Sequence, residues 1–214
     1  GCIINLNSPD TALVLAGIKP SAVVSTYLGQ VRVNGGVAVA ESNCRVVEYA
    51  MGTIVVPHAA SLPPLQAFSA PCFTGVSHTF GQHVYYKGSG LGGLNGNLRS
   101  FKLKRGYAVT FAEQENGSGR SYNYVAQDGD LEMGILPNSL DGRVRFVYVV
   151  PWRWAGKKGI AGNIESGLNL QWKYNWNIDQ NSTRDLEYVP IRQSRWWPGL
   201  GQDWKARGSS QLLG

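Results

Sequence analysis

The sequence predicts a mainly β protein: a small Greek-key β-sandwich followed by the first strands of an incomplete β/α barrel. Three observations support this. The chain combines 27 glycines and 10 prolines with 43% hydrophobic and 16% charged residues, a balance typical of a turn-rich folded protein. A turn-and-strand segment occurs twice in its middle third. All seven tryptophans lie between Trp152 and Trp204, so the last third differs in character from the rest.

Residues 1–71 are expected to form a β-rich segment that ends in a linker. Short apolar stretches such as "SAVVSTYLGQVRVNGG" and "GTIVVP" alternate with Gly, Asn and Pro. The Asn34-Gly35 pair predicts a tight turn. The stretch from Pro57 to Pro71, rich in proline and alanine, is typical of a linker or a covering loop.

Residues 72–150 contain the repeat and are expected to form the sandwich. "LNGNLRSFKL", from Leu94 to Leu103, resembles "LDGRVRFVYV", from Leu140 to Val149, and each joins a Gly turn to an alternating strand. The stretches "AVTFAEQ" and "RSYNYVAQ" between them predict a hairpin. Two units with the same ending indicate a pair of Greek keys.

This region resembles the βγ-crystallins, in which a hairpin rich in Tyr and Phe precedes an Asn/Asp-Asn/Asp-x-x-Ser/Thr-Ser turn. The calcium-binding members use that turn for ligands. Here Gly96 and Gly142 occupy its second position, and Arg99 and Arg145 occupy the Ser/Thr position. Because a guanidinium cannot ligate a hard cation, we expect these turns to bind calcium poorly or not at all.

Residues 151–214 are expected to begin a truncated β/α-barrel core. "LNLQWKYNWN" and "EYVPIRQSRWW" each start apolar and end in aromatic and polar residues. In β/α barrels the carboxyl ends of the strands carry the functional residues. Aromatic faces stack on the C–H faces of sugars, and amides and guanidiniums bind hydroxyls. The candidate substrate-binding residues are therefore Tyr174, Asn175, Trp176, Asn177, Arg195, Trp196 and Trp197, whereas Trp152, Trp154 and Trp172 are assigned to packing.

"WKYNWN", then "EYVPIRQSRWW", then "LLG" resembles the opening of glycoside hydrolases of family 128, endo-β-1,3-glucanases with a β/α-barrel core. The preceding residues, from "FKLKRGYAVTFA" to "VPWRWAGKKG", resemble the accessory module of some bacterial members. The resemblance implies a catalytic Glu just beyond Gly214 and a later nucleophilic Glu. Neither of those two carboxylates is present, and Glu165, Asp179, Asp185 and Glu187 match neither role. We therefore expect a fragment that is not catalytically competent alone.

Charge and ligand types exclude several other functions. The net charge of +6 arises downstream of residue 86, but its Lys and Arg are mixed with acidic residues, so we predict no nucleic-acid partner. No apolar stretch is long enough for a membrane helix. Three cysteines without CxxC spacing and three scattered histidines predict neither a metal site nor a cofactor, and allow at most one internal disulfide.

Three functions remain open. The first is the front part of a secreted hydrolase that acts on β-glucan. The second is a non-catalytic carbohydrate-binding module with the same polysaccharide partner. The third is an extracellular structural or filament protein capable of self-assembly, suggested by the β-rich first seventy residues. The low charged fraction favours a secreted or cell-surface location for all three.

Overall fold

The chain divides into two units: one contains residues Pro63–Trp152, and the other joins residues 1–62 with 153–214. The computed structural model describes residues 1–8, 10–49, 52–58, 63–152, 159–162, 168, 170–176 and 183–191.

The first 62 residues contribute two small sheets. Their strands are β1 (Ile4–Leu6), β2 (Leu13–Ala16), β3 (Val31–Val33), β4 (Gly36–Val37), β5 (Cys44–Tyr49) and β6 (Gly52–Pro57). One sheet has the order β1-β3-β4 and the other β2-β6-β5, and β1 pairs with β3 in parallel. The predicted turn at Asn34-Gly35 is confirmed, since both residues have left-handed φ values of 49° and 83°.

A helical stretch fills the connection between β2 and β3. It consists of an α-helical turn at Pro20–Ala22, a π-helical segment at Val23–Tyr27 and a 3-10 turn at Leu28–Gln30. Proline at the first position lacks an N–H that would have no partner there in any case. Val23 and Leu28 are buried in a core with Val31, Val46 and Val55, so the helix packs its apolar side against the strands.

The second unit is a sandwich of two four-stranded sheets. Its strands are β7 (Leu65–Ala70), β8 (Thr74–Phe80), β9 (Tyr85–Lys87), β10 (Ser100–Leu103), β11 (Tyr107–Ala112), β12 (Ser121–Ala126), β13 (Leu131–Met133) and β14 (Phe146–Pro151). The strand orders are β13-β10-β7-β8 and β12-β11-β14-β9. Each sheet therefore takes three strands from one four-strand motif and the third strand of the other. Short 3-10 turns at Pro71–Phe73 and Gly88–Leu94 connect strands.

This exchange of third strands relates the two motifs by an internal symmetry. In both sheets, the first and fourth strands of one motif are neighbours, with the second strand of that motif on one side and the exchanged strand on the other. The predicted hairpin is confirmed, because β11 pairs antiparallel with β12 from Tyr107↔Ala126 to Ala112↔Ser121. The predicted pair of Greek keys is thus the architecture of this unit.

Alternate residues of these strands form the sandwich core. Phe80, Phe101, Phe111 and Leu103 are fully buried there, together with Val147. The rings of Phe101 and Phe111 meet edge to face at 5.0 Å. Each such side chain contributes about 1.5–3 kcal/mol by leaving water, so the sandwich has a substantial core of its own.

A three-stranded parallel sheet follows the sandwich in the sequence and belongs to the unit of residues 1–62. Its strands are β15 (Gly159–Ala161), β16 (Trp172–Tyr174) and β17 (Glu187–Tyr188), in that order. The Ser21 N–H and hydroxyl donate to the Asp185 carboxylate at 2.9 and 2.5 Å. Arg184 donates to Glu41 at 3.1 Å, which further ties the start of β17 to the first 62 residues.

The unit boundaries differ from the predicted segments 1–71, 72–150 and 151–214. The stretch predicted as a linker contains β7, whose edges pair with β10 and β8, so the sandwich begins at Pro63. The parallel pairing of β15 to β17 is observed, while the start of a β/α barrel stays a prediction. No helix in the described ranges is long and apolar enough to cross a membrane.

Candidate functional site

The most prominent feature of the parallel sheet is a row of three aromatic side chains on β16 and the two residues that follow it. Trp172, Tyr174 and Trp176 alternate along the chain, as residues on one face of a strand do. The rings of Trp172 and Tyr174 are nearly parallel, with centroids 6.4 Å apart and an interplanar angle of 16°. Tyr174 and Trp176 meet edge to face at 5.2 Å. We call these three residues the aromatic row.

The neighbouring strand β15 accommodates the aromatic row because its facing residues are small. Gly159 and Ala161 lie in register with Trp172 and Tyr174. A Cβ added at Gly159 would stand 2.0 Å from Cε2 of Trp172, so the indole lies directly against the glycine backbone. Only glycine fits at this position, because the indole of Trp172 packs against β15 there.

Exposure rises along the aromatic row towards the end of the strand. Trp172 and Tyr174 are half-buried, whereas Trp176 is 54% exposed. Trp176 also has a φ of 61°, in the left-handed region that bulky residues avoid. A large apolar side chain that is both exposed and held in a costly backbone conformation is typical of a functional position rather than of a packing one.

Asn175 lies on the other side of the sheet from the aromatic row. Its side-chain oxygen accepts a hydrogen bond of 2.8 Å from the hydroxyl of Tyr188, which is in register with Lys173. Alternation along β16 places the side chain of Lys173 on the face of the sheet opposite to that of Trp172 and Tyr174. The predicted sugar-binding residues are therefore divided between the two faces. Tyr174 and Trp176 contact each other, whereas Asn175 binds Tyr188 of β17.

One acidic side chain shares the face of the aromatic row. Glu187 lies in register with Trp172 across β16 and β17, and it is only 1% exposed. That Glu187 is neither of the two catalytic carboxylates of a hydrolase stays a prediction. The remaining predicted sugar-binding residues lie outside the described residues; they are Asn177, Arg195, Trp196 and Trp197.

The two repeated turns of the sandwich hold arginines where the crystallin pattern has Ser or Thr. Arg99 donates through Nη1 to the Asp141 carboxylate of the other turn at 3.2 Å. Nε of Arg145 lies 3.9 Å from the position that a Cβ at Gly96 would occupy. The guanidinium of Arg99 thus already neutralises the one carboxylate of these turns. Within the described part of the chain, no group of three His, Cys, Asp or Glu residues is arranged to hold a metal ion.

Two titratable groups among the first 62 residues, Cys44 and His58, are held neutral by burial. Cys44 is buried, and burial followed by the nearby Glu41 raises the pKa of its thiol to about 12. Burial, with a further contribution from Arg45, lowers the pKa of His58 to about 4. All three cysteines are free thiols, and Cys2 and Cys72 are exposed. A neutral thiol and a neutral imidazole in these positions serve packing rather than catalysis.

Comparison with known proteins finds similarity only in structure. No family model matches the chain, and no curated protein matches it in sequence. Solved βγ-crystallin domains are similar to it. One from Flavobacterium johnsoniae has a TM-score of 0.36 at 18% identity and covers 41% of this chain and 94% of that domain. One from Clostridium beijerinckii has a TM-score of 0.35 at 18% identity, covering 40% and 95%. The N-terminal domain of Protein S has a TM-score of 0.35 at 19% identity, covering 41% and 94%.

At these identities the similarity concerns the fold alone. The sandwich is βγ-crystallin-like on its own topology, through the exchanged third strands described above. None of the comparisons supports the resemblance to glycoside hydrolase family 128.

Proposed function

We propose that this chain binds a polysaccharide, in the first place a β-glucan, through the aromatic row, and that the crystallin-like sandwich is an accessory module. The observation that carries this proposal is Trp176: an exposed indole at a strand end, in a strained backbone conformation, continuing two aligned rings. The extracellular location of such polysaccharides makes a secreted or cell-surface protein part of the same proposal.

The chemistry of the aromatic row suits an extended sugar chain. A pyranose ring presents an apolar C–H face, which stacks on aromatic rings, while its hydroxyls remain at the rim. Ring-to-ring distances of 6.4 and 5.2 Å place three aromatic side chains in succession, two nearly parallel and the third turned edge to face, so that neighbouring sugar units can each contact a ring. An extended glycan running along β16 satisfies this spacing better than a compact ligand does.

The proposal assigns binding, and no catalytic step, to the described residues. A retaining glycosidase needs two carboxyl groups about 5 Å apart, one acid and one nucleophile. Both oxygens of Asp185 accept hydrogen bonds from Ser21, and Glu187 is only 1% exposed. The resemblance to family 128 supports β-1,3-glucan as the first ligand to test.

The test is retention of the full chain on insoluble β-1,3-glucan, with cellulose as the control and reducing-sugar release assayed in the same tube. We expect retention on the glucan without release. Tyr174→Ala, at the centre of the aromatic row, should abolish retention. Tyr122→Ala, which removes an aromatic ring that is 45% exposed in the sandwich, should not.

Each other outcome changes the proposal in a defined way. Sugar release would contradict the assignment of binding alone. Equal loss in both variants would mean that no specific role belongs to the aromatic row. Retention on neither polysaccharide, with a sedimentation coefficient that rises with protein concentration, would favour self-assembly instead.

A further inference from the structure

A polar cleft of about 510 Å³ lies on the sandwich, between the end of β11 and the turn that precedes β14. Its volume falls within the range of small-ligand sites, about 300–1,000 Å³. The lining residues are Glu113, Gln114, Glu115, Gly142, Arg143 and Arg145. All but the glycine carry planar polar groups, so the cleft presents hydrogen-bonding edges rather than an apolar wall.

The lining retains donors and acceptors after its internal contacts are counted. Arg143 approaches Glu113 at 4.0 Å, which is a loose ion pair. The Ser118 hydroxyl shares its one proton between Asn116 Oδ1 at 2.6 Å and the amide oxygen of Gln114 at 3.1 Å, and the Gln114 NH₂ group is not used in either contact. Within the described residues, neither Arg145 nor Glu115 forms an ion pair.

The internal repeat explains why Arg145 has no carboxylate. Arg99, its counterpart in the first motif, pairs with Asp141 of the second turn. The residue equivalent to Asp141 in the first turn is Asn95, which is neutral. The symmetric ion pair therefore forms only once, and the second guanidinium lies over Gly96 and faces the cleft.

Two arginines and two glutamates give the lining no net charge. Because the two signs of charge are present in equal number, the lining gives no net attraction to a simple anion or to a simple cation. A hydroxyl group both donates and accepts, so it can bind a guanidinium or amide on one side and a carboxylate on the other. We propose that this cleft binds a neutral polyhydroxylated ligand, such as a hexose unit of a glycan, through Arg145, Gln114 and Glu115. The site does not rest on the aromatic row, because it belongs to the other unit.

The test uses the full-length ¹⁵N-labelled chain carrying Trp176→Ala, which disables the aromatic row. A neutral β-1,3-linked glucose trisaccharide is titrated, with a trigalacturonate as the acidic comparison. We expect saturable shifts of the Gln114, Glu115 and Gly142 amide resonances with the neutral ligand. Arg145→Met should weaken that binding about tenfold or more, as the loss of a charged hydrogen bond implies.

Arg120→Met is the matched control, because Arg120 is an exposed arginine on the same hairpin outside the lining. It should leave the affinity unchanged, and both arginine variants should keep the parent's circular dichroism melt. Unchanged binding in Arg145→Met, or tighter binding of the trigalacturonate, would overturn the proposal. Absence of these shifts while the chain with Trp176 intact is retained on glucan would refute the cleft and leave the aromatic row standing.

Discussion

Replacement of Trp176 by glycine and by alanine separates backbone strain from sugar binding. At a φ of 61°, steric strain destabilises the folded state by about 1–2 kcal/mol for a residue with a Cβ, and glycine has no such strain. Both variants lose the edge contact with Tyr174, worth about 0.5–1.5 kcal/mol, so that loss cancels between them. Glycine also orders more backbone on folding, which offsets part of its advantage. Trp176→Gly should therefore be more stable than Trp176→Ala by about 1 kcal/mol.

The assay is urea unfolding of both variants, with the midpoint and slope compared. Tyr27 supplies the matched control: it is 38% exposed, but its φ is −110°. There the order should reverse, with glycine less stable than alanine by about 0.5–1 kcal/mol. Trp176→Ala equal to or more stable than Trp176→Gly would refute the strain argument. If both Trp176 variants still bind glucan, the strained backbone at this position does not mark a sugar-binding residue.

Three further predictions concern the titratable groups. His58 has a pKa of 6.5 in the unfolded chain and about 4 in the folded chain, so the unfolded state binds more protons between these values. The free energy of unfolding should therefore decrease by about 3 kcal/mol as the pH is lowered from 6.5 to 4. His58→Gln should flatten that part of the pH profile. A thiol reagent at pH 8 should label Cys2 and Cys72 in the native protein, and Cys44 only after unfolding. Millimolar calcium should leave the thermal midpoint unchanged relative to EGTA, because Arg99 already occupies the carboxylate of the repeated turns.

The parts of the fold that sequence reasoning predicts are those encoded by local signals. The tight turn at Asn34-Gly35 follows from residues that tolerate left-handed conformations. The β11–β12 hairpin follows from two alternating strands around a Gly-rich loop. The pair of Greek keys follows from a repeat, since each copy ends in the same turn and strand. None of these depends on a distant part of the chain.

The parts that the sequence does not predict are set by distant partners. The strand β7 follows two prolines, and its apolar and polar residues do not alternate regularly. It forms a strand because β10 pairs with one of its edges and β8 with the other. The strand β15 contains Gly159, which lowers strand propensity, yet glycine is required there by the indole of Trp172. Neither partner is visible from the local sequence.

The candidate site shows the same division. Alternation along β16 puts Trp172 and Tyr174 on one face, and Trp176, two residues beyond Tyr174, contacts the Tyr174 ring, whereas Asn175 binds Tyr188 on the opposite face. A prediction based on residue types near a strand end does not separate the two faces. The cleft at Arg145 is not predicted from the sequence because its residues come from two segments that are distant along the chain and meet only through the pairing of β11 with β14.

The most direct test of the central claim is isothermal titration calorimetry of a soluble β-1,3-gluco-oligosaccharide into the full chain and into Trp176→Ala. We predict saturable binding to the wild-type chain and an affinity at least about tenfold lower in the variant, because one exposed stacking platform is lost. Equal affinities, or no binding heat with either protein at millimolar oligosaccharide, would contradict the claim that the aromatic row is a sugar-binding surface.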